Sequence, residues 1–192
     1  MKILFVVATK SEIIEEKFKN CDVIITGAGM INTTFSLTKR LSKRSYDLVI
    51  NMGVAGSFSD KIKIGDVVEV VEDIFSEIGY EDGNSFSEFT NFRIENSFKV
   101  DEKTNLNKAK GITVNTVHGN EKTITEIVRR LNPDVESMEG AACFMVCKQF
   151  EIPCIQIRAI SNKVEKRNTE NWDLDLAISN LNTEVGKIID SL

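Results

Sequence analysis

Residues 47–56, DLVINMGVAG, decide the fold class of this 192-residue chain. The segment is apolar on successive residues rather than on alternate ones, which is typical of a strand that is covered on both faces. Glycines near its end indicate that the backbone turns sharply there or approaches another group closely. The segment therefore predicts a buried strand in a largely parallel sheet.

Five further apolar, β-branched runs share this character, and each is predicted to be a strand. They are residues 2–9, 22–29, 66–75, 111–117 and 153–161. Helical patterns are predicted at residues 30–44, 120–132, 139–150 and 172–190. This alternation predicts an α/β layered fold. The polar stretch 76–110 is the least regular part, and we interpret it as a surface excursion or a subunit contact.

The composition limits the classes of function. A hydrophobic content of 42% and a charged content of 28% are ordinary for a soluble globular protein. A net charge of −5, with no basic stripe, argues against a nucleic-acid partner. No apolar run is long enough to span a bilayer, and the N-terminal run is too short for a signal peptide. We therefore expect a cytoplasmic protein with no membrane partner.

The four cysteines lie mostly inside apolar runs, at Cys21, Cys143, Cys147 and Cys154. Cys143 and Cys147 would share one face of a helix, which raises the question of a metal site. With a single histidine and no C-x-x-C motif, buried free thiols are the favoured interpretation. Such thiols fit a reducing compartment. We expect no metal and no organic cofactor.

Candidate functional residues follow the predicted strands, because ligands of open α/β sheets bind beyond the carboxyl ends of the strands. Glu12 follows the first strand at the start of a predicted helix, where the helix dipole alone could account for a carboxylate. Ala55 and Gly56 lie in the turn GVAG, which matches neither the dinucleotide-binding pattern nor the phosphate loop. We interpret this turn as one that lies close to a ligand.

Two further candidate positions follow the fifth and the last predicted strands. Val117 and His118 lie in NTVH, and a single histidine is more often structural than catalytic. Ser161 and Asn162 follow the last strand, where an asparagine taken alone would be a turn residue. Each of these signals is weak by itself.

The stretch DVESMEGAACFMVC, residues 134–147, carries a stronger signal. Glu136 and Glu139 flank Met138 at the opening of a segment that is otherwise small and apolar. A carboxylate in such a place needs hydrogen-bond donors to remain ionised. If protein groups supply them, Glu139 is structural; if a ligand supplies them, a cis-diol such as ribose is the natural guest. The residues alone leave that choice open.

Three motifs resemble the nucleoside phosphorylase/nucleosidase superfamily, in the same order along the chain. They are INMGVAGSFSDKIKIGDVVEV, VESMEGAACFMVC and IPCIQIRAISN. The resemblance covers nearly the whole chain. It implies a three-layer α/β fold with a central mixed, largely parallel sheet flanked by helices, and a single nucleosidase domain over residues 1–192.

The resemblance also implies roles for individual residues. Glu139 would accept hydrogen bonds from the ribose hydroxyls, Met138 would pack on the sugar, and Glu136 would support the site. Glu12 stands where the nucleosidases place the glutamate that deprotonates the attacking water. The other residues expected to bind substrate are Ala55, Gly56, Val117 and Ser161.

Asn162 departs from the pattern of the methylthioadenosine/S-adenosylhomocysteine nucleosidases, which have an aspartate there that protonates adenine. An amide instead donates to a 6-oxo group and accepts from a protonated N7. Within the superfamily, GITVNTVHGN and the residues after Asn162 resemble the futalosine hydrolases of menaquinone biosynthesis. Their substrate is an inosine-like nucleoside with a carboxyphenyl ketone chain at its 5′ position. The resemblance implies hydrolysis of futalosine to hypoxanthine and dehypoxanthinyl futalosine.

Other functions stay open. The chain could hydrolyse methylthioadenosine, S-adenosylhomocysteine or inosine-like nucleosides, or it could be a non-catalytic nucleoside-binding module of the same fold. Phosphorolysis is disfavoured, because the turn after the first strand carries Lys10 and Glu12 but no arginine. An anionic nucleophile beside Glu12 would also be repelled.

In this superfamily a neighbouring subunit commonly completes the pocket, so a homodimer or a higher homo-oligomer is expected. The candidate contact is the segment 72–80, EDIFSEIGY, with Phe75 as its aromatic residue. Asn171 and Trp172 could cap the site or meet the aromatic end of the substrate. A core-anchoring role for Trp172 is the alternative.

Overall fold

The computed structural model describes residues 1–83, 85–92 and 94–192, and it alternates strands and helices along much of the chain. The strands are β1 (Ile3–Val7), β2 (Asp22–Ile25), β3 (Leu48–Ser57), β4 (Val67–Phe75), β5 (Tyr80–Asp82), β6 (Ser85–Ser87), β7 (Ser97–Lys99), β8 (Asn107–Thr113), β9 (Val135–Ser137) and β10 (Cys154–Lys163). The α-helices are α1 (Met30–Leu41), α2 (Glu121–Leu131), α3 (Gly140–Gln149) and α4 (Leu174–Ser191). Short 3-10 turns span Lys10–Glu12, Glu15–Phe18 and Thr169–Asn171.

Eight of the strands form one mixed sheet, in the order β10-β4-β8-β9-β3-β1-β2, with β7 also paired to β4. Because β10 pairs with β3 as well as with β4, five strands close into a ring from which β1 and β2 extend. Strand pairing is parallel except where β4 meets β10 and β7 and where β3 meets β9. The predicted mixed, largely parallel sheet is confirmed, but it is not the open sheet that was assumed.

Strand β1 shows why its apolar residues are continuous rather than alternating. Ile3, Phe5 and Val7 belong to a core cluster that also contains buried residues of α4. Leu4 and Val6 belong to a second cluster that contains buried residues of α1 and α3. Helices therefore cover both faces of the strand, as the sequence predicted.

Two elements differ from the predicted positions. Residues 135–137, for which no strand was predicted, form β9, which is too short to show a periodic pattern. The strand predicted at 111–117 is β8, which begins at Asn107 and ends at Thr113. The first half of β8 was not predicted, because Lys108 and Lys110 make this part of the sequence polar. In the structure, both ammonium groups donate to backbone carbonyl oxygens.

The irregular stretch 76–110 contains three short strands. β5 and β6 pair with each other, and β7 pairs with β4 of the main sheet. Within the described parts of the chain, no helix is both long and apolar enough to span a membrane.

A buried polar network ties three strands of the ring to the start of α3. Asp73 of β4 accepts hydrogen bonds from Thr113 Oγ1 of β8 and Gln156 Nε2 of β10, both at 2.8 Å. The Ala141 amide of α3 donates to the same Thr113 oxygen at 2.8 Å. A Cβ atom on Gly140 would lie 2.1 Å from Asp73 Oδ2, so only glycine allows this approach. The network fixes where α3 begins.

The fully buried position of Asp73 raises the pKa of its carboxyl to about 6, although both hydrogen bonds oppose the shift. Between the pKa of the unfolded chain, near 4, and this value, the folded protein keeps a proton that the unfolded chain has released. The free energy of unfolding therefore falls as the pH rises through this window. The contribution lost by pH 7 is roughly 3 kcal/mol.

Replacing Asp73 by asparagine should remove that loss, because an amide has no proton to release. We expect the difference in free energy of unfolding between Asp73→Asn and wild type to move by about 3 kcal/mol in favour of the variant from pH 4 to pH 7. Urea unfolding at a series of pH values measures it. Asp175→Asn, which removes an exposed carboxylate, is the control. Parallel curves for Asp73→Asn and wild type would contradict the prediction.

Candidate active site

The residues that follow the strands meet around one cavity of about 210 Å³. Nine of the ten residues predicted to form the site line it. They are Glu12, Ala55, Gly56, Val117, Glu136, Met138, Glu139, Ser161 and Asn162. The tenth, Phe75, lies elsewhere and is described below.

Two glycines of β3 organise this cavity through the register of the neighbouring strands. On β10, Arg158 pairs with Gly53 and Asn162 pairs with Gly56. On the other side of β3, Glu136 of β9 also pairs with Gly56. The pairing therefore sets an arginine at one point of the strand and an amide and a carboxylate at another. Three residues of β3 separate these points, which corresponds to roughly 10 Å.

Glu12 lies on the 3-10 turn after β1 and is almost fully buried. Its Oε2 accepts a hydrogen bond from the Thr9 amide at 2.8 Å, and its Oε1 accepts a longer one from the Val54 amide at 3.4 Å. Asn182 of α4 holds this turn in place. Its Nδ2 donates to the Glu12 carbonyl, and its Oδ1 accepts a hydrogen bond from the Ile14 amide. The carboxylate is thus fixed at the cavity wall, where it can accept a proton.

Arg158 is a functional candidate that the sequence analysis missed. Its side chain is 1% exposed, and its guanidinium donates to Asn51 Oδ1 at 2.5 Å. A Cβ on Gly53 would lie 2.8 Å from Glu12 Oε1 and 3.5 Å from Arg158 Nη1, so the two charged groups approach each other over that glycine. One signal in the sequence could have identified it. Arg158 is the single charged residue in the apolar run 153–161, and a buried charge requires a partner.

Glu139 sits at the N-cap of α3. Its Oε1 accepts a hydrogen bond from the Gly29 amide at 2.9 Å, and its Oε2 has no hydrogen-bond partner among the described residues. Burial raises the pKa of this carboxyl and the negative charge of Glu12 adds to the rise, while Arg158 and the Gly29 amide oppose it. One oxygen is therefore held by the protein, and the other is available to hydroxyl donors from a ligand.

Ser161 and Asn162 lie at a bulge of β10, where the register with β3 shifts between Ile160 and Asn162. Ser161 Oγ donates to Asn162 Oδ1 at 2.8 Å, and Asn162 Nδ2 donates to the Lys163 carbonyl at 2.9 Å. A Cβ on Gly56 would lie 3.1 Å from Asn162 Nδ2. The bulge and its hydrogen bonds hold a half-buried amide against the cavity.

Glu136 makes its hydrogen bonds to His118 rather than to the open cavity. Its Oε1 accepts from the His118 amide at 3.0 Å, and its Oε2 lies 2.7 Å from the ring atom Nδ1. The carboxylate is 4% exposed, and the imidazole meets the Phe58 ring edge-on. Glu136 therefore fixes both the backbone and the ring of the loop that carries Val117.

The segment after β10 forms the rim of the cavity. Arg167 and Trp172 both line it, and the guanidinium lies 4.8 Å from the centre of the indole ring. The Asp173 amide donates to the Ser161 carbonyl at 2.9 Å, which ties this segment to the strand below it. Asn171 instead donates to Glu165 and is not part of the cavity wall.

Phe75 lies outside this cavity of its own chain. It is buried, meets Phe98 edge-on with ring centres 5.8 Å apart, and borders an apolar groove along α1. We call this the α1 groove, and it is lined by Met30, Ile31, Thr34, Phe35, Thr38, Lys39, Phe75, Ile78 and Met145. The structure thus places Phe75 beneath the α1 groove, away from the other candidate residues.

Three of the cysteines come together in the core, two of them on α3 and one at the start of β10. The sulfur atoms of Cys143, Cys147 and Cys154 all lie within 4.8 Å of one another, a spacing that a soft metal ion could use. Burial raises the pKa of Cys154 well above its usual value, whereas hydrogen bonds with Cys147 and Cys154 hold the pKa of Cys143 well below its own. All four cysteines are free thiols in the described structure, and the expectation that no metal binds here stays a prediction.

Comparison with known proteins agrees with this architecture. The model of the phosphorylase superfamily matches residues 9–191. A 5'-methylthioadenosine/S-adenosylhomocysteine nucleosidase of Geobacillus is 29% identical over 92% of this chain and 84% of its own. A futalosine hydrolase of Thermus thermophilus is 24% identical over 85% of this chain and 79% of its own.

A solved structure of a nucleosidase has a similar fold. The 5'-methylthioadenosine/S-adenosylhomocysteine nucleosidase of Neisseria meningitidis, solved with methylthio-immucillin-A, superposes with a TM-score of 0.83 at 20% identity, covering 100% of this chain and 99% of that one. These matches confirm the resemblance that the motifs indicated, and with it the prediction of an enzyme of the N-glycosyl hydrolase class. The chain belongs to the phosphorylase superfamily, and its relatives there are nucleosidases.

Proposed function

We propose that this nucleosidase hydrolyses the N-glycosidic bond of futalosine, releasing hypoxanthine and dehypoxanthinyl futalosine in menaquinone biosynthesis. The observation that carries the proposal is Asn162, an amide held against the same cavity as Glu12 and Glu139. An amide can donate to the 6-oxo group of hypoxanthine and accept from its protonated N7. A site built on such hydrogen bonds discriminates strongly, because a mismatched base leaves buried polar groups unpaired.

The contacts suit a dissociative hydrolysis, in which the sugar gains positive charge as the base departs. Glu139 would hold the ribose through its free oxygen, Oε2, because a carboxylate matches two adjacent hydroxyls. Glu12 would accept a proton from the attacking water. The carboxylates also stabilise the developing positive charge of the sugar, which counts most in a site shielded from water.

Arg158 supplies an arginine that the earlier argument against phosphorolysis did not include, but hydrolysis is still the preferred reaction. The turn after β1 carries no arginine, yet Arg158 reaches the same region from β10. Its two Nη atoms donate to Asn51 and the Ile157 carbonyl, its Nε has no hydrogen-bond partner among the described residues, and the Glu12 carboxylate approaches the same glycine, Gly53. A phosphate there would meet a negative charge at short range. Hydrolysis remains the reaction that the geometry favours.

A second candidate function is hydrolysis of methylthioadenosine or S-adenosylhomocysteine. The observation that favours it is the Geobacillus relative, which is named for those substrates and is 29% identical. Inosine-like nucleosides are a third class that an amide at position 162 would accept. The base and the 5′ group therefore both need direct measurement.

We also infer that residues 1–192 form one domain that acts in the cytoplasm. The inference of one domain is supported by α4, whose buried residues pack in the same cluster as β1 at the other end of the chain. The inference of a cytoplasmic location is supported by four free thiols, which a reducing compartment preserves.

The proposal predicts which base the enzyme releases. Chromatography of reactions with futalosine, inosine and methylthioadenosine, each with and without phosphate, should show hypoxanthine from futalosine at a rate that phosphate does not change. Asn162→Asp should lower the ratio of kcat/KM for futalosine over methylthioadenosine by roughly a hundredfold or more, because an acid suits adenine better than a 6-oxo base. Adenine as the main product of the wild-type enzyme would overturn the assignment of the substrate.

Glu12 is predicted to act in catalysis rather than in binding. Glu12→Gln keeps the shape of the side chain but cannot accept the proton of water, so kcat should fall roughly 10²- to 10⁴-fold while KM changes little. Steady-state kinetics on futalosine measures both constants. Glu15→Gln, on the exposed face of the next turn, is the matched control. A variant that binds normally and keeps its rate would show that the chain uses another base, whereas a wild type that binds but shows no turnover would show that the chain is not an enzyme.

A homodimer built on the α1 groove is part of the same proposal. Ile31 and Phe35 of α1 are 75% and 67% exposed, which is unusual for large apolar side chains that lie side by side. The helix begins one residue after Gly29, whose amide binds Glu139. A second copy seated on α1 would therefore border the active site and cover Phe75.

Phe35→Glu should break this contact by placing a charge in an apolar interface. We expect at least about 2 kcal/mol of lost association energy, which is roughly a thirtyfold rise in the dimer dissociation constant. Sedimentation equilibrium measures the change, and Val128→Glu on α2 is the control at another exposed apolar position. A wild-type chain that sediments as a monomer would reject the proposed dimer.

A further inference from the structure

The proposed reaction leaves one chemical role without a residue. When the bond from the ribose to the base breaks, its electron pair goes to the base, which leaves more easily if a ring nitrogen gains a proton. Asn162 can accept or donate hydrogen bonds there, but an amide does not give up a proton near neutral pH. Glu12 faces the water, and Glu139 faces the ribose. The donor of this proton must come from elsewhere in the cavity wall.

His118 is a titratable group at the right end of the cavity. It lines the cavity and is held by Glu136, whose carboxylate binds the His118 amide and ring atom Nδ1. Glu136 pairs with Gly56 on β3, and Asn162 pairs with the same glycine from the opposite side. His118 is therefore anchored across β3 from Asn162, at the Gly56 end of the cavity, while Glu12 lies over Gly53, three positions away on β3.

The hydrogen bonds of the ring favour a role as a proton donor over a structural role. A histidine that serves only the structure generally has both ring nitrogens satisfied. Here Nδ1 is bound to Glu136, and Nε2 has no hydrogen-bond partner among the described residues. A carboxylate that binds Nδ1 fixes the tautomer and the orientation of the ring, as in the catalytic triads of serine hydrolases.

We propose that His118, positioned by Glu136, is the general acid that protonates the departing base; the inference rests on the proposed function. As the bond from C1′ to N9 breaks, its electrons go to the purine, and N3, which is not the nitrogen that Asn162 contacts, takes the proton from Nε2 of the imidazolium. Water adds to C1′ and gives one proton to Glu12. The products are the neutral base and the free sugar hydroxyl, and the proton on Glu12 returns to His118 through solvent.

Two amide substitutions separate proton transfer from hydrogen bonding. His118→Asn keeps a donor near the Nδ1 position, and His118→Gln keeps one near the Nε2 position, but neither amide can release a proton. We expect both variants to lose roughly 10²- to 10⁴-fold in kcat on futalosine with little change in KM. If His118→Gln keeps the wild-type kcat while His118→Asn loses it, a hydrogen bond from the Nε2 position is sufficient. The ring then only binds the base, and the proposal is wrong.

A substrate that needs no proton provides the decisive comparison. N7-methylated futalosine carries its positive charge already, and its base leaves as a neutral molecule. The variants should cleave it within about threefold of the wild-type rate, because general-acid assistance has nothing to add. Equal losses on both substrates would show a structural role for His118. A wild-type enzyme inactive on futalosine, inosine and methylthioadenosine would instead reject the proposed function itself.

The pH dependence gives an independent reading that does not require the methylated substrate. The acid acts only when protonated, so the wild-type kcat on futalosine should fall on the basic side of its pH profile, and this basic limb should vanish in His118→Asn. The ionisable groups around the ring are Glu136 on β9, Glu126 and Arg130 on α2, Glu81 on β5, and Glu165 and Arg167 after β10. A variant that keeps the basic limb would assign it to one of these groups and overturn the proposal.

Discussion

The arrangement of the site depends on one constraint, which is the pairing of β3 with both β10 and β9. This pairing closes the ring of strands and sets Arg158 across from Gly53 and Asn162 across from Gly56. Glycine is required at both points because neighbouring side chains fill the space that a Cβ would need: the Glu12 carboxylate at Gly53, and a Val164 methyl with the Asn162 amide at Gly56. The sheet therefore does more than support loops: its register determines which chemical groups can meet.

The charges in the cavity form a balanced set rather than a simple acidic patch. Burial and the negative charge of Glu12 raise the pKa of Glu139, and the buried guanidinium of Arg158 offsets part of that rise. Behind them, Asp73 fixes the start of α3 through Thr113 and Gln156. The position of Glu139 thus depends on a second carboxyl that never reaches the substrate, and stability and function share the same few hydrogen bonds.

The sequence predicted the layers and most strand positions, and nine of the ten residues that it proposed for the site line the cavity, because apolar continuity and residue chemistry are local properties. It could not predict the contact between Glu136 and His118, since that contact depends on the register of β9, a three-residue strand without a readable pattern. Arg158 was missed for a similar reason, as its partner Asn51 lies on another strand. Side-chain partners across a sheet require the register, which one sequence does not contain.

Closing the ring also limits how this protein can aggregate. Sheets grow by adding a strand to an edge whose amide and carbonyl groups are unpaired. In the described part of the main sheet, those edges fall to β2 and β7, which are only four and three residues long. Asp22 at the start of β2 and Lys99 at the end of β7 place charge on both. The fold thus combines a reactive, partly buried interior with a backbone that offers little template for intermolecular β-pairing.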